Sequence, residues 1–231
     1  MRYENFANGE FYHVYNRGVD RRITYRCDED YLRFFESLRV FNTTQDAGAA
    51  ISFHKRCQQV YPLDDQLVRV HVFSLMPNHF HLLVQQVRDG GISQFLQRFG
   101  TSYTKFFNKS EGRTGALFEN VFKARHINSD AYLLHITRYI HLNLLSTIGI
   151  DWKSDGVTDT RVALDFLVSS PWSSFFYYYN NIDTPVLDLS LLQNLFPSPD
   201  DHAMFMFEYE PSPADETSIF SRQVGSEASD K

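Results

Sequence analysis

Apolar and polar positions alternate over residues 10–16, EFYHVYN, and then meet Arg17-Gly18, a pattern that predicts a strand ending in a turn. Asp28-Glu29-Asp30 opens a helix, with acids where the macrodipole favours them and Tyr31, Phe34, Phe35 and Leu38 at helical spacing; it should end near Asn42. Residues 43–65 keep no strong period and read as a loop or a loosely attached short helix. A second strand follows over 67–75, LVRVHVFSL, and the short MPN at 76–78 joins it to a third in a tight antiparallel pair. After Gly90-Gly91, the recurrence of Ile92, Phe95, Leu96, Phe99, Tyr103, Phe106 and Phe107 at three- and four-residue steps gives a second helix. LFENVFKARHIN ends as a strand, and Ser129-Asp130 caps a third helix running to about Ser146. The order β-α-β-β-α-β-α begins with the split βαβ plan of ferredoxin-like sheets: an α+β fold, its antiparallel sheet packed by helices on one face.

The pattern weakens after Ile150. It offers a short helix in VALDFLVS, an aromatic run PWSSFFYYY at 171–179, and a Leu-rich stretch at 187–195. So many aromatics would form a sticky surface patch if exposed, so 151–196 is expected to pack back on a body of residues 1–150. Beyond Pro197, PSPDD and EPSPADET read as a flexible tail over 197–231. No internal repeat is visible.

Within the third strand, MPNHFHLLV at 76–84 places His79 and His81 two apart, so both imidazoles leave one face, while Phe80, Leu82 and Val84 form the opposite, apolar face. Two neighbouring imidazoles can hold a divalent ion; they can equally be two histidines on a half-exposed strand. The third helix, SDAYLLHITRYIHLNLLS, sets Tyr139 and Asn143 one turn apart on a stripe shared with His135. Leu133, Ile136, Ile140 and Leu144 form an adjoining apolar stripe able to pack on the sheet. This arrangement lets Asn143 join the histidines on a metal while Tyr139 points at a phosphate. Taken alone, each residue also fits a packing or solvated role.

Composition sets bounds on these readings. The chain has 231 residues, 43% of them hydrophobic and 16% aromatic, too apolar for wholesale disorder. No run approaches the ~18 apolar residues of a membrane span, and two cysteines, Cys27 and Cys57, do not make a disulfide scaffold, so the expected compartment is the cytoplasm, with no membrane partner. The net charge of −6 argues against a polyanion partner, but the excess acid lies in the tail, leaving a neutral body. Basic residues cluster at Arg17, Arg21, Arg22 and Arg26, and again at Arg113, Lys123 and Arg125.

Taken in order, FYHVYNRG, DEDYLRFF, LMPNHFHLLV, SYTKFFN, GRTGALFENVFKA, DAYLLHITRYIHLN and SPWSSF resemble the segments of the REP-associated and related IS200-like single-tyrosine transposases of the HUH nuclease superfamily, over about residues 9–179. The resemblance implies an RRM-like sheet with a catalytic C-terminal helix. It implies a divalent ion, Mg²⁺ or Mn²⁺, on His79 and His81, with Asn143 as third ligand and Tyr139 as nucleophile. The activity implied is metal-dependent cleavage and joining of single-stranded or hairpin DNA through a 5′-phosphotyrosine, in a nucleoid-associated monomer or homodimer. Arg17, Arg21, Arg22, Lys123 and Arg125 are the expected phosphate contacts, and Tyr12, Tyr15 or Phe73 the aromatics on which splayed bases would stack. Leu144 and Val121 stand where relatives commonly carry Pro and Arg, so one DNA contact is expected to be missing.

A competing reading is a domesticated, non-cleaving regulator that binds hairpin DNA or RNA. Another is a small-molecule metallohydrolase, which would want further His or Asp ligands. The acidic tail is a candidate for blocking the DNA groove by mimicking phosphate.

Overall fold

The computed structural model describes residues 5–45, 51–119 and 121–208. Four strands, β1 (Phe11–Arg17), β2 (Val68–Met76), β3 (His79–Gln86) and β4 (Lys123–Ile127), form one sheet in the order β2-β3-β1-β4 with every neighbouring pair antiparallel. Helix α1 (Asp28–Val40) links β1 to β2, and α3 (Gly91–Ser110) links β3 to β4, with the short α2 (Phe53–Cys57) between α1 and β2. This is the split βαβ topology that the periodicity predicts.

The two faces of the sheet carry two cores. Phe34, Leu38, Phe95, Phe99 and Tyr103 of α1 and α3 pack on Tyr12, Val14, Phe80, Leu82 and Val84. On the other face Val72, Met76 and Leu83 meet helix α4 (Asp130–Leu142) through Leu133, Ile136 and Ile140. A β-bulge at His71 lets β2 serve both cores: Val70 pairs with Val84 and Val72 with Leu83, so one extra residue reverses the alternation. Phe73 therefore faces α1 and α3. Tyr12, Tyr15 and Phe73 are all buried, which corrects their expected use as stacking platforms for bases.

Beyond α4 the chain wraps that second face with α5 (Trp152–Asp155), α6 (Thr160–Ser169), α7 (Ser174–Tyr179), α8 (Ser190–Leu195) and α9 (Pro199–Phe207). The aromatic run does pack back. Leu75 N–H donates to Trp172 O at 2.9 Å and Phe73 N–H to Ser174 Oγ at 2.9 Å, so residues 172–174 cover the outer edge of β2 that would otherwise offer unpaired backbone groups. Helix α9 corrects the reading of a flexible tail from Pro197. Ser198 caps it, Pro199 sits at its start, and His202, Ala203 and Met206 are buried against α4 and α7. The tail that remains, 209–231, lies outside the described residues.

Under α9, His202 stacks on Phe196 with centroids 4.2 Å apart and lies 5.1 Å from His141, whose Nε2 meets Ser174 Oγ at 2.7 Å. Burial, helped by the Arg138 cation, pulls His202 from 6.5 to about 3, and burial likewise holds His141 well below its usual value. The unfolded chain binds these protons near pH 6.5 and the folded one does not, so stability is complete above that pH and lost as pH falls toward 3. Each such histidine contributes a slope of about 1.4 kcal/mol per pH unit. Urea midpoints measured at about pH 7 and pH 5 should therefore fall steeply in the native chain and less in His202→Leu; equal slopes would rule this pair out as the cause.

Candidate active site

The β2–β3 hairpin that presents the histidines is fixed from below. Pro77 O accepts from Thr24 N–H at 2.8 Å and Tyr25 N–H at 3.1 Å, and Asn78 O accepts from Gly18 N–H at 2.8 Å. A Cβ at Gly18 would meet Arg22 O at 2.4 Å, so the turn after β1 closes on the hairpin only with glycine there.

Register then decides what faces what. His79 pairs with Arg17, His81 with Tyr15 and Ser74, and Leu83 with His13, so His79, His81, His13 and Tyr15 share the face that α4 crosses. The ring of Tyr139 stands edge-on to His81 at 5.4 Å and to His13 at 5.9 Å, with Trp152 at 5.8 Å behind it. Tyr139 is only 4% exposed and Asn143 5%, and the phenol is hydrogen-bonded to the Asn143 amide. His81 and Tyr139, 58 positions apart in the chain, thus meet across the sheet face. Helix α4 stops earlier than expected, however: from Asn143 to Ile148 the backbone tightens into a 3-10 turn, and Asn143 is the C-cap of the α-helix.

Second contacts set which imidazole nitrogens are available. His79 Nδ1 lies 2.6 Å from Asn78 Oδ1, which can only accept there if that nitrogen carries the proton, leaving Nε2 as the lone-pair donor. His81 Nδ1 lies 2.7 Å from His13 Nε2, so His81 is likewise engaged through Nδ1. Burial is the main reason His79 is pulled down to about 4 and His13 to about 3, with His81 also well below its usual value; Lys153 and Arg17 add to the effect at His79. At neutral pH all three are neutral bases, the form that a cation needs. No set of three His, Cys, Asp or Glu converges among those residues, so an ion here would have two imidazoles, an amide oxygen and oxygens brought by the substrate.

The nucleophile candidate is held in reserve. Burial, with Tyr15 nearby, pushes Tyr139 up to about 12, while its hydrogen bond with Asn143 pulls the other way. A phenol in that state attacks nothing unless positive charge arrives beside it.

The basic residues divide. Lys123 and Arg125 lie exposed on the edge strand β4, opposite Tyr15 and His13 and hence on the site's own face. Arg17 also faces the site, beside His79, but its guanidinium is ion-paired with Glu119 (Nε–Oε1 2.9 Å). Arg21 and Arg22 sit in the turn after β1, where Arg22 Nε donates to Val19 O at 3.2 Å. His13, Trp152 and Lys153 are the site residues that sequence reasoning missed. His13 was visible in the two-residue period of FYHVYNR, which places it with Tyr15 and Arg17; nothing in the sequence near Ile150 announced the other two.

Residues 52–143 match the family described as Transposase IS200 like, a span of about two fifths of the chain that contains both histidines and Tyr139 and ends on Asn143. Comparison with curated proteins gives no match. Among solved structures, the chain is similar to that of a REP-associated tyrosine transposase bound to a REP hairpin, at 12% identity and a TM-score of 0.48, over 82% of this chain and 92% of that one. Among the described residues, no helix is long and apolar enough to cross a membrane.

Proposed function

We propose that this chain, whose residues 52–143 match the family described as Transposase IS200 like, cleaves and rejoins single-stranded DNA at or near hairpins through Tyr139. The observation that carries the reading is the meeting of Tyr139 with His81 across the sheet face, 5.4 Å between rings, with Asn143 on the phenol.

In this reading, Tyr139 Oη attacks a backbone phosphorus, an O–P bond forms and the P–O3′ bond breaks. The proton lost by the phenol is matched by the one that the departing 3′-oxygen gains. The product is a 5′-phosphotyrosine and a free 3′-hydroxyl. The new ester keeps the energy of the phosphodiester, so a 3′-hydroxyl of another strand can reverse the step and join DNA without a nucleotide cofactor. His79 and His81 through Nε2, and Asn143 through its amide oxygen, would hold a divalent ion, Mg²⁺ or Mn²⁺, which supplies charge neutralisation at the phosphate. His13 and Asn78 engage both imidazoles at Nδ1 and so turn Nε2 toward the site. Lys123 and Arg125 extend the site along β4 and suit the DNA backbone.

A rigid duplex cannot bring its backbone to a phenol lying between helix and sheet; a flexible single strand can. With Tyr139 buried, binding also has to loosen the helix enough to admit the phosphate. That closed state is the observation favouring a second reading, a protein that binds hairpins without cutting them.

One experiment separates the two. A hairpin DNA library with random single-stranded flanks, labelled at the 3′ end, is incubated with the chain and Mg²⁺ or Mn²⁺, then denatured in SDS. The expected result is labelled protein that disappears when EDTA is added first. Retarded DNA with no SDS-stable label, in either metal, would establish the non-cleaving regulator instead.

A further inference from the structure

One cation in the site is used by nothing described so far. Lys153 stands on α5, directly after the 3-10 turn that follows Asn143, and its Nζ lies 4.9 Å from the centroid of Tyr139 and 5.4 Å from that of Trp152. Its side chain is half-buried, on the same side of α4 as the Tyr139 ring that meets His81. Yet its ammonium makes no hydrogen bond or ion pair with any described residue. The acid whose charge acts on it, Asp151, is engaged in capping α5, its carboxylate accepting from Ser154 N–H at 3.4 Å and from Ser154 Oγ–H at 3.0 Å.

A half-buried ammonium with no acceptor is a net cost to the fold, since taking a charge out of water is repaid only by a counter-charge or hydrogen bonds. Two aromatic rings offset part of it, on the order of 1 kcal/mol. The charge of Asp151 offsets a further part, and an anion arriving beside Tyr139 would offset the rest. The geometry points to Lys153 as a catalytic residue that binds a non-bridging oxygen of the scissile phosphate and offsets the charge that builds there as Tyr139 attacks. The inference rests on the cleavage reading above and adds to it a group that binds the reacting phosphate beside Tyr139.

This arrangement explains how a phenol driven to about 12 by burial can react at all. The incoming phosphate would pair with Lys153, whose charge offsets the negative charge developing on the phosphate oxygens as Tyr139 attacks. Oriented donors of this kind at a developing oxyanion are typically worth about 10²–10³-fold in rate.

The test uses the full chain and the library DNA described above, with single-turnover adduct formation as the readout. Lys153→Met keeps the length and removes the charge; Lys153→Arg keeps the charge. The expected result is a rate at saturating DNA about 100-fold lower for Met, with substantial recovery for Arg, while DNA affinity measured in a Tyr139→Phe background changes far less than the rate. The thermal midpoint of Lys153→Met should hold or rise, because an unpaired charge has gone; a purely structural, ring-stacking lysine would instead give a lower midpoint and no charge-specific rescue. An active native chain with an unaltered Lys153→Met rate would overturn the inference and leave the cleavage reading standing. A native chain that forms no adduct with any library member would overturn both.

Discussion

Tyr139→Phe is expected to eliminate the SDS-stable DNA adduct, a loss on the order of 10⁴-fold or more, as for removal of other enzymatic nucleophiles. The change deletes one oxygen, and the structural cost is small. Phe keeps the edge-on contacts to His81, His13 and Trp152, and what disappears is the hydrogen bond to Asn143, about 1 kcal/mol. Stability and DNA binding should therefore stay near those of the native chain while chemistry stops. The combination is diagnostic, because a tyrosine serving only to pack the core would show the reverse: some loss of stability and an adduct that persists. Adduct yield by denaturing gel and a urea melt on the same preparation distinguish the two cases. Persistence of the adduct in Tyr139→Phe would move the nucleophile elsewhere and remove the premise of the mechanism.

The second large effect concerns α9. Cutting the chain after Phe196 should destabilise it by roughly 3–6 kcal/mol, from the lost burial of Met206 and Ala203 and the exposed surfaces they covered on α4 and α7. The Arg138 guanidinium also loses Phe205, over whose ring it sits at 3.8 Å. For a domain of this size such a loss is a large share of the total. A cut after Glu208 removes the acidic residues 209–231 and leaves α9 in place, and it should leave the melting temperature nearly unchanged. The pair of truncations also separates folding from electrostatics. Release of a phosphate-mimicking tail would raise DNA affinity in the Glu208 truncation, whereas the Phe196 truncation would lose affinity with the fold. Equal melting temperatures for the two would show that α9 contributes no packing.

The dependence of α4 on α9 bears on function as well as stability. Tyr139 and Asn143 are placed by α4, and α4 is held between the sheet on one side and the wrapping helices on the other. His141 and His202 add a seam of neutral imidazoles beneath α9 that weakens in acid. The position of Tyr139 is thus supported by residues 152–207, all of them beyond the stretch that the family match covers.

Much of this was legible in the sequence because it is local and periodic. The two-residue period of HFHLLV by itself puts His79 and His81 on one face, whatever the rest of the chain does, and the four-residue step from Tyr139 to Asn143 puts them on one helical stripe. Alternation and helical spacing also placed the four strands and three main helices in an order that leaves few sheet topologies. What the sequence could not decide was anything requiring two distant segments to meet: that the stripe crosses the histidine face, that His13 engages His81, that Glu119 takes Arg17, that Lys153 reaches Tyr139. These depend on strand register and on how α4 crosses the sheet, and no one-dimensional pattern encodes them. Helix α9 was missed for a related reason: its sequence, PSPDDHAMFMF, is led by turn-forming residues and acids, and its helical character is fixed by the apolar surface of α4 and α7 on which it lies. Periodicity determined which residues share a face; only packing decided which faces meet.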